Sequence, residues 1–314
     1  MGRWSSLLFN LKTVHLITKS DWKTTIFPAT VFALSCAFSG PLATTNSTPD
    51  LLSIFFRIPK VVLWVWLNLW VFNLANQRLP NSVLEDSINK PWRAIPSKRL
   101  TPDQARQLLI LSIPVVFFAT LRMGGWHPSV ILMLLTLIYN DLGAADENFL
   151  VRHLNNALGF GCFSAGAAQV AAGFPHHGLN DTAYQWLAVI SVVITVTIQF
   201  QDMEDVEGDS LRGRRTAPIV FGDRPTRWAN AVTAIACSWG APVFWRLDAS
   251  GYVLPVSLGL LLAYRTLALR TLKADKTTFK LWCLWLMVLY LLPSFKNHNI
   301  FSQLSMGSPL ALIA

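Results

Sequence analysis

"WLAVISVVITVTIQFQDMEDVEGDSLRGRRTAP" (Trp186–Pro218) decides how this chain folds. From Trp186 to Phe200 no residue carries a charge. Five acids then follow at once, Asp202, Glu204, Asp205, Glu207 and Asp209, with Arg212, Arg214 and Arg215 behind them. An apolar run that stops at such a wall of charge reads as a membrane helix reaching an interface. Asp202, Asp205 and Asp209 are spaced i, i+3, i+7, so a helix continuing past Phe200 would put three carboxylates on one face. Glu204 and Glu207 fall on other faces. Gly208 is a natural stop signal, and on that reading the helix ends before Asp209.

The rest of the chain agrees with a membrane reading. Of 314 residues, 53% are hydrophobic and only 14% charged, and the mean hydropathy is +0.41. Such a composition excludes a disordered chain and argues against a soluble globule. At about 20 apolar residues per span, the sequence predicts an all-α, polytopic membrane protein with about nine transmembrane helices. They begin near Ile26, Val61, Gln107, Pro128, Leu154, Ala183, Ala229, Val253 and Leu281. Residues 1–25 alternate apolar and basic side chains and read as an interfacial segment rather than a cleaved leader. Residues 26–296 then form the membrane domain and 297–314 a tail.

The net charge of +9 has a topological cause, and nucleic acid is not an expected partner. Lys and Arg gather before the first span and after the second, fourth, sixth and eighth, among them Lys12, Lys23, Arg78, Arg99, Arg224 and Lys276. By the positive-inside rule these segments face the cytoplasm. Sequons at Asn46 and Asn180 fall on the other side, which fits a eukaryotic lumenal face such as that of the endoplasmic reticulum. The four cysteines each sit in an apolar span without CxxC spacing and read as small buried hydrophobes.

The second span ends as the sixth does. "NLWVFNLANQRLPNSVLEDSINKPWRAIPSKRLTP" places Asn73, Asn76 and Gln77 on one helical face. Pro80 breaks the helix, and Glu85 and Asp86 are expected in the loop that follows. Four spans separate the two clusters, so both lie on the cytoplasmic side. Oxygen ligands without a Cys or His set suit Mg²⁺, which takes few protein ligands and shares substrate phosphates. The expected ligands are Asn73, Gln77, Glu85, Asp86, Asp202, Asp205 and Asp209. Lys90 and Arg93 trail the first cluster, and Arg214 and Arg215 the second, placed to fork onto a diphosphate. The alternative for either cluster alone is an ordinary solvated helix end.

These residues resemble the UbiA superfamily of intramembrane prenyltransferases. The resemblance runs from Trp22 to Phe295 and is carried by Asp202-x-x-Asp205-x-x-x-Asp209-x-x-x-Gly213-Arg214-Arg215-Thr216-x-Pro218 and by "NKPWRAIPSKRLT" (Asn89–Thr101). The usual first motif, NDxxDxxxD, is altered: neutral amides at Asn73, Asn76 and Gln77 replace carboxylates. That alteration, with "YNDLG" and "LNNALGF", is similar to a fungal branch that includes membrane-bound terpene cyclases. The resemblance implies helices around a central cavity, Mg²⁺ as cofactor and a prenyl diphosphate as substrate, with farnesyl diphosphate the first choice. No protein partner is indicated.

Two fates of the resulting carbocation stay open: cyclisation on the chain's own double bonds, or transfer to an aromatic or other small acceptor. In either case a dry cavity must protect the cation from water, and aromatic faces would steady it. Trp64, Trp66, Trp70, Phe72, Phe117, Phe118 and Tyr139 are candidates. Tyr139, Asn140 and Asp141 close the fourth span on the motif side and are expected at the cavity mouth. A transporter would instead hold charges near the bilayer midplane in broken helices; here they gather at one interface.

Overall fold

Capping chemistry sets where the helices begin. Asp50 accepts hydrogen bonds from the Leu52 and Ser53 N–H groups, Asn148 from Val151 and Asn180 from Ala183. Thr101 and Gln104 form a reciprocal capping box, satisfying donors that a helix start leaves open. The computed structural model describes residues 3–296; the tail expected at 297–314 lies outside the described residues. The helices are α1 Arg3–Thr18, α2 Phe27–Phe38, α3 Leu51–Gln77, α4 Pro80–Asn89, α5 Pro102–Met123, α6 Trp126–Asn140, α7 Ala144–Glu147 and α8 Phe149–Ala172. They continue as α9 Asp181–Thr197, α10 Gln199–Arg212, α11 Ala217–Phe221, α12 Asp223–Phe244, α13 Ala249–Ala268, α14 Leu272–Tyr290 and α15 Leu292–Lys296. Among the described residues there is no strand, only an isolated bridge between Thr44 and Leu179.

Helix α8 lies at the centre, against α2, α3, α6 and α9. Its small residues permit this: a Cβ added at Gly166 would stand 2.0 Å from the Trp64 ring. Close backbone approach through small residues is how membrane helices associate without a hydrophobic driving force. Trp64, Trp186, Trp282 and Trp285 are fully buried. Two of their indole N–H groups are satisfied, Trp282 by Thr197 Oγ1 at 3.1 Å and Trp285 by Ser238 Oγ at 2.9 Å. Large apolar side chains point outward instead along α5 (Ile110, Leu111, Val115, Phe118) and α12 (Val232, Trp239, Val243), the pattern of a bundle solvated by lipid.

One expectation goes unconfirmed and two are corrected. Each of the nine predicted span starts falls at or beside a helix, but among the described residues only α3, α5, α13 and α14 (run on through α15) are long and apolar enough to cross a bilayer, with α9 and α10 as a bent fifth. The count of nine is not supported. Helices α2 and α6 have 12 and 15 residues, α8 is diluted by glycine and asparagine, and α12 opens on Asp223, Arg224 and Arg227. Second, Pro80 stops α3 but also starts α4, where its fixed φ and missing N–H suit a first turn. Glu85 and Asp86 therefore sit on a helix, not in a loop. Third, Gly208 does not end α10. The helix runs on to Arg212 and is capped by Gly213 at φ 78°, so Asp209 is helical.

A bend of 42° separates α9 from α10. At its hinge Thr197 Oγ1 donates back to the Val193 carbonyl at 2.7 Å, a bond that bends helices. The bend directs the acidic face of α10 against α4 and toward α8.

Candidate active site

A cavity of about 940 Å³, open mouth included, lies between α3, α6, α8 and α10. Asp21, Glu85, Lys90, Arg93, Arg152, Asp205 and Arg214 give its wall a charged end, with Tyr139 and Phe72 beside them; Leu69, Leu132, Phe160 and Phe163, further along α3, α6 and α8, give it an apolar part. Phe72 and Tyr139 have ring centroids 5.9 Å apart.

Around the charged end, acids and bases from distant segments interlock. Arg93 takes both oxygens of Asp86 at 2.8 and 2.9 Å and also donates to Ser20. Arg214 contacts Glu85 and Asp209, each at 2.8 Å. Arg212 binds Glu85 at 3.0 Å, Ser82 and both oxygens of Asp146. Lys90 reaches Asp205 at 3.3 Å, and Asn89 donates to the Asp205 backbone carbonyl. Asp202 is held by Arg152 and by His153 Nε2 at 3.1 Å. Buried pairs of this kind gain little net stability, yet removing one partner strands the other charge.

The electrostatics follow from this packing. Burial alone would push the Glu85 carboxyl up, but the Arg214 guanidinium, with Lys90 and Arg212, outweighs it and holds Glu85 below the usual carboxylate range. At Asp86 the balance reverses: burial raises the carboxyl in spite of Arg93. Lys90 loses hydration, but Asp205 and the other acids around it hold its ammonium above its ordinary value.

Of the predicted ligands, Asn73, Glu85 and Asp205 line the cavity. Asp86, Asp202 and Asp209 are buried behind it, each against an arginine. Gln77 donates to the Ile17 carbonyl at 2.8 Å and to Asn73. Lys90, Arg93 and Arg214 line the cavity, while Arg215 is exposed and stays outside it. Tyr139 lines the wall, and Asn140 sits behind it, accepting from Asn76 at 2.9 Å. Asp141 does not reach the cavity: it is exposed and pairs with Arg78. Of the predicted aromatics only Phe72 and Tyr139 reach the cavity; Trp64 is buried and Phe118 is 64% exposed. Sequence reasoning missed Arg152, His153, Asp146, Phe160 and Phe163. For Arg152, His153, Phe160 and Phe163 the signal available was "RHLNNALGFGCF", where two basic residues open a helix predicted to be apolar.

Among the described residues no three His, Cys, Asp or Glu side chains converge as a metal group. The donors nonetheless suit a hard cation that is shared with a ligand. Asp209 Oδ2 and Gln77 Oε1 are buried with no hydrogen-bond partner, and Asp205 is held only through Oδ2 and its backbone carbonyl. Mg²⁺ needs no more than one or two carboxylates when phosphate oxygens complete its shell. Asp205 and Asp209 would hold it, whereas both oxygens of Glu85 are taken by Arg214 and Arg212.

Residues 33–287 match the UbiA prenyltransferase family. The chain is 30% identical over 295 residues to somaliensene A/B synthase of Streptomyces somaliensis, covering 90% of this chain and 92% of the relative. It is 29% identical over 286 residues to the fumagillin beta-trans-bergamotene synthase of Aspergillus fumigatus, covering 91% and 92%. The fold is similar to a UbiA homologue from Archaeoglobus fulgidus solved with DMAPP and Mg²⁺, with a TM-score of 0.61 at 10% identity over 90% of this chain and 99% of that one.

Proposed function

The chain belongs to the UbiA prenyltransferase family, and from that premise we propose that this integral membrane enzyme ionises a linear prenyl diphosphate, farnesyl diphosphate first, and cyclises the carbocation. The observation that carries the reading is one cavity with two chemically different ends: fixed cations around carboxylates at one, aromatic and aliphatic side chains at the other. Relatives that include the somaliensene and bergamotene synthases and a diterpene cyclase support cyclisation as the cation's fate.

The residues divide the work. Lys90, Arg93 and Arg214 donate to the diphosphate oxygens and stabilise charge that grows as the allylic C–O bond breaks. When bound beside Asp205 and Asp209, Mg²⁺ would supply further neutralisation of the leaving group. Leu69, Leu132 and Phe163 exclude water from the prenyl chain. The faces of Phe72, Tyr139 and Phe160 steady positive charge as it migrates. A final proton loss, with diphosphate as the acceptor, closes the reaction.

A second reading, transfer of the prenyl chain to a small acceptor, is favoured by Asn155, Asn156 and Gln201, whose amides also line the cavity and suit a polar co-substrate. The charge distribution supports a cytoplasmic mouth, with endoplasmic reticulum as the membrane, and residues 1–25 as an interfacial segment. Incubating the purified protein with Mg²⁺ and farnesyl diphosphate alone tests the assignment. A cyclic hydrocarbon or alcohol detected by gas chromatography is the expected product; turnover that begins only on adding an aromatic acceptor would select the second reading.

A further inference from the structure

We propose that Arg152 binds the substrate diphosphate and that Asp202, with His153, is the positioning pair that holds it, not a magnesium ligand. The inference rests on the prenyl diphosphate reading above. Asp202 heads the acidic face of α10 and, like Asp209, is buried behind the cavity wall; what separates the two is that Asp209 keeps Oδ2 without a partner and Asp202 keeps neither oxygen. Both its carboxylate oxygens are taken, Oδ1 by Arg152 Nη1 and Oδ2 by His153 Nε2 at 3.1 Å. A metal could reach either oxygen only by stranding a buried guanidinium, a costly exchange.

Arg152 is placed differently. It is 4% exposed but forms part of the cavity wall, and its buried Nε has no partner. Asp202 thus fixes one edge of the guanidinium and leaves donors in reserve. Those donors sit in the first turn of α8, whose start is capped by Asn148. The dipole of a 24-residue helix adds positive potential at the same point. His153 packs edge-on against Phe149, centroids 5.8 Å apart, so the imidazole is braced on one side and bonded to Asp202 on the other. Lys90, Arg93 and Arg214 approach from other segments, and a diphosphate among them would meet Arg152 from the α8 side. The metal then falls to Asp205 and Asp209, the acids with oxygens to spare.

The test measures binding of a non-ionising farnesyl thiodiphosphate to the detergent-solubilised full chain across a Mg²⁺ series that includes zero. Arg152→Gln combined with Asp202→Asn removes both charges together and strands neither, and thermal unfolding verifies its fold. The pair should weaken analogue binding roughly tenfold or more, the scale of a lost charge-assisted contact, with the half-saturating Mg²⁺ concentration unchanged. Asp202→Asn alone should weaken the analogue at every Mg²⁺ concentration, excess included. Recovery of Asp202→Asn at high Mg²⁺ would make it a metal ligand and overturn the proposal, as would native-like binding by the pair. His153→Gln, which keeps a donor toward Asp202, should stay within about threefold of native; a shifted Mg²⁺ requirement in this variant would also count against the positioning role. If the native chain binds no analogue at any Mg²⁺ concentration, the diphosphate reading itself fails, a result separate from all of these.

Discussion

Asp205 concentrates the chemistry of the site in one side chain. It lines the cavity, faces Lys90 at 3.3 Å and keeps Oδ1 unengaged. Asp205→Asn preserves the shape and removes the charge, so we expect turnover to fall at least 100-fold while the protein still extracts and melts as native; near-native turnover would remove Asp205 from the metal site. Arg93 tests a different balance. Its two bonds to Asp86 are buried, and Arg93→Ala leaves a carboxylate that burial already disfavours. Breaking such a pair costs about 3–5 kcal/mol, so the variant should unfold well below the native temperature, and Arg93→Ala with Asp86→Ala should recover part of the loss. Much of this was legible at the residue scale, because membrane burial makes every charge conspicuous: Glu85, Asp205, Lys90, Arg93 and Arg214 all reach the site. What a linear reading could not show is pairing. Arg152 and Asp202 are fifty residues apart, and nothing in local spacing says that one neutralises the other.

Elements put these residues in register, and the contacts that do so are tight. Helix α4 lies on α10 at Gly208, where a Cβ would meet Asn89 Nδ2 at 2.3 Å. That amide holds the Asp205 carbonyl at 3.2 Å. Gly208→Ala should therefore separate the two acidic clusters slightly, lowering kcat more than it lowers stability; a variant with native kcat would show that Asn89 swings aside freely. Gly166→Leu meets an unyielding neighbour, the fully buried Trp64. Overpacking of this kind costs about 1–3 kcal/mol or more, and thermal unfolding followed by tryptophan fluorescence should register it. Periodicity located α3 and α9, since long apolar runs speak for themselves. It misread Pro80 and Gly208, because a proline suits a first turn as well as it ends a helix and a glycine marks close packing as well as an end. Only the partner helix decides between those readings.

At the scale of the whole molecule, one side of the bundle holds nearly all the functional charge. The ends of α3 and α10, helix α4 and the start of α8 meet there, and the same side carries the excess of Lys and Arg that fixes orientation. On the proposed reading site and topology are not independent: a cation that binds diphosphate would also retain its loop in the cytoplasm. The prediction is that the acidic clusters face the cytosol. Ser210, beside Asp209, and Ser250, at the start of α13, are both exposed and lie at opposite ends of the bundle on the topology drawn from charge. In a background with all four native cysteines replaced by alanine, Ser210→Cys in sealed microsomes should react at once with an impermeant maleimide. Ser250→Cys should react only after the membrane is opened. Labelling of both from the same side would break the alternation on which the shared location of the two clusters was first inferred. It would leave the packing of α4 against α10 to account for their meeting.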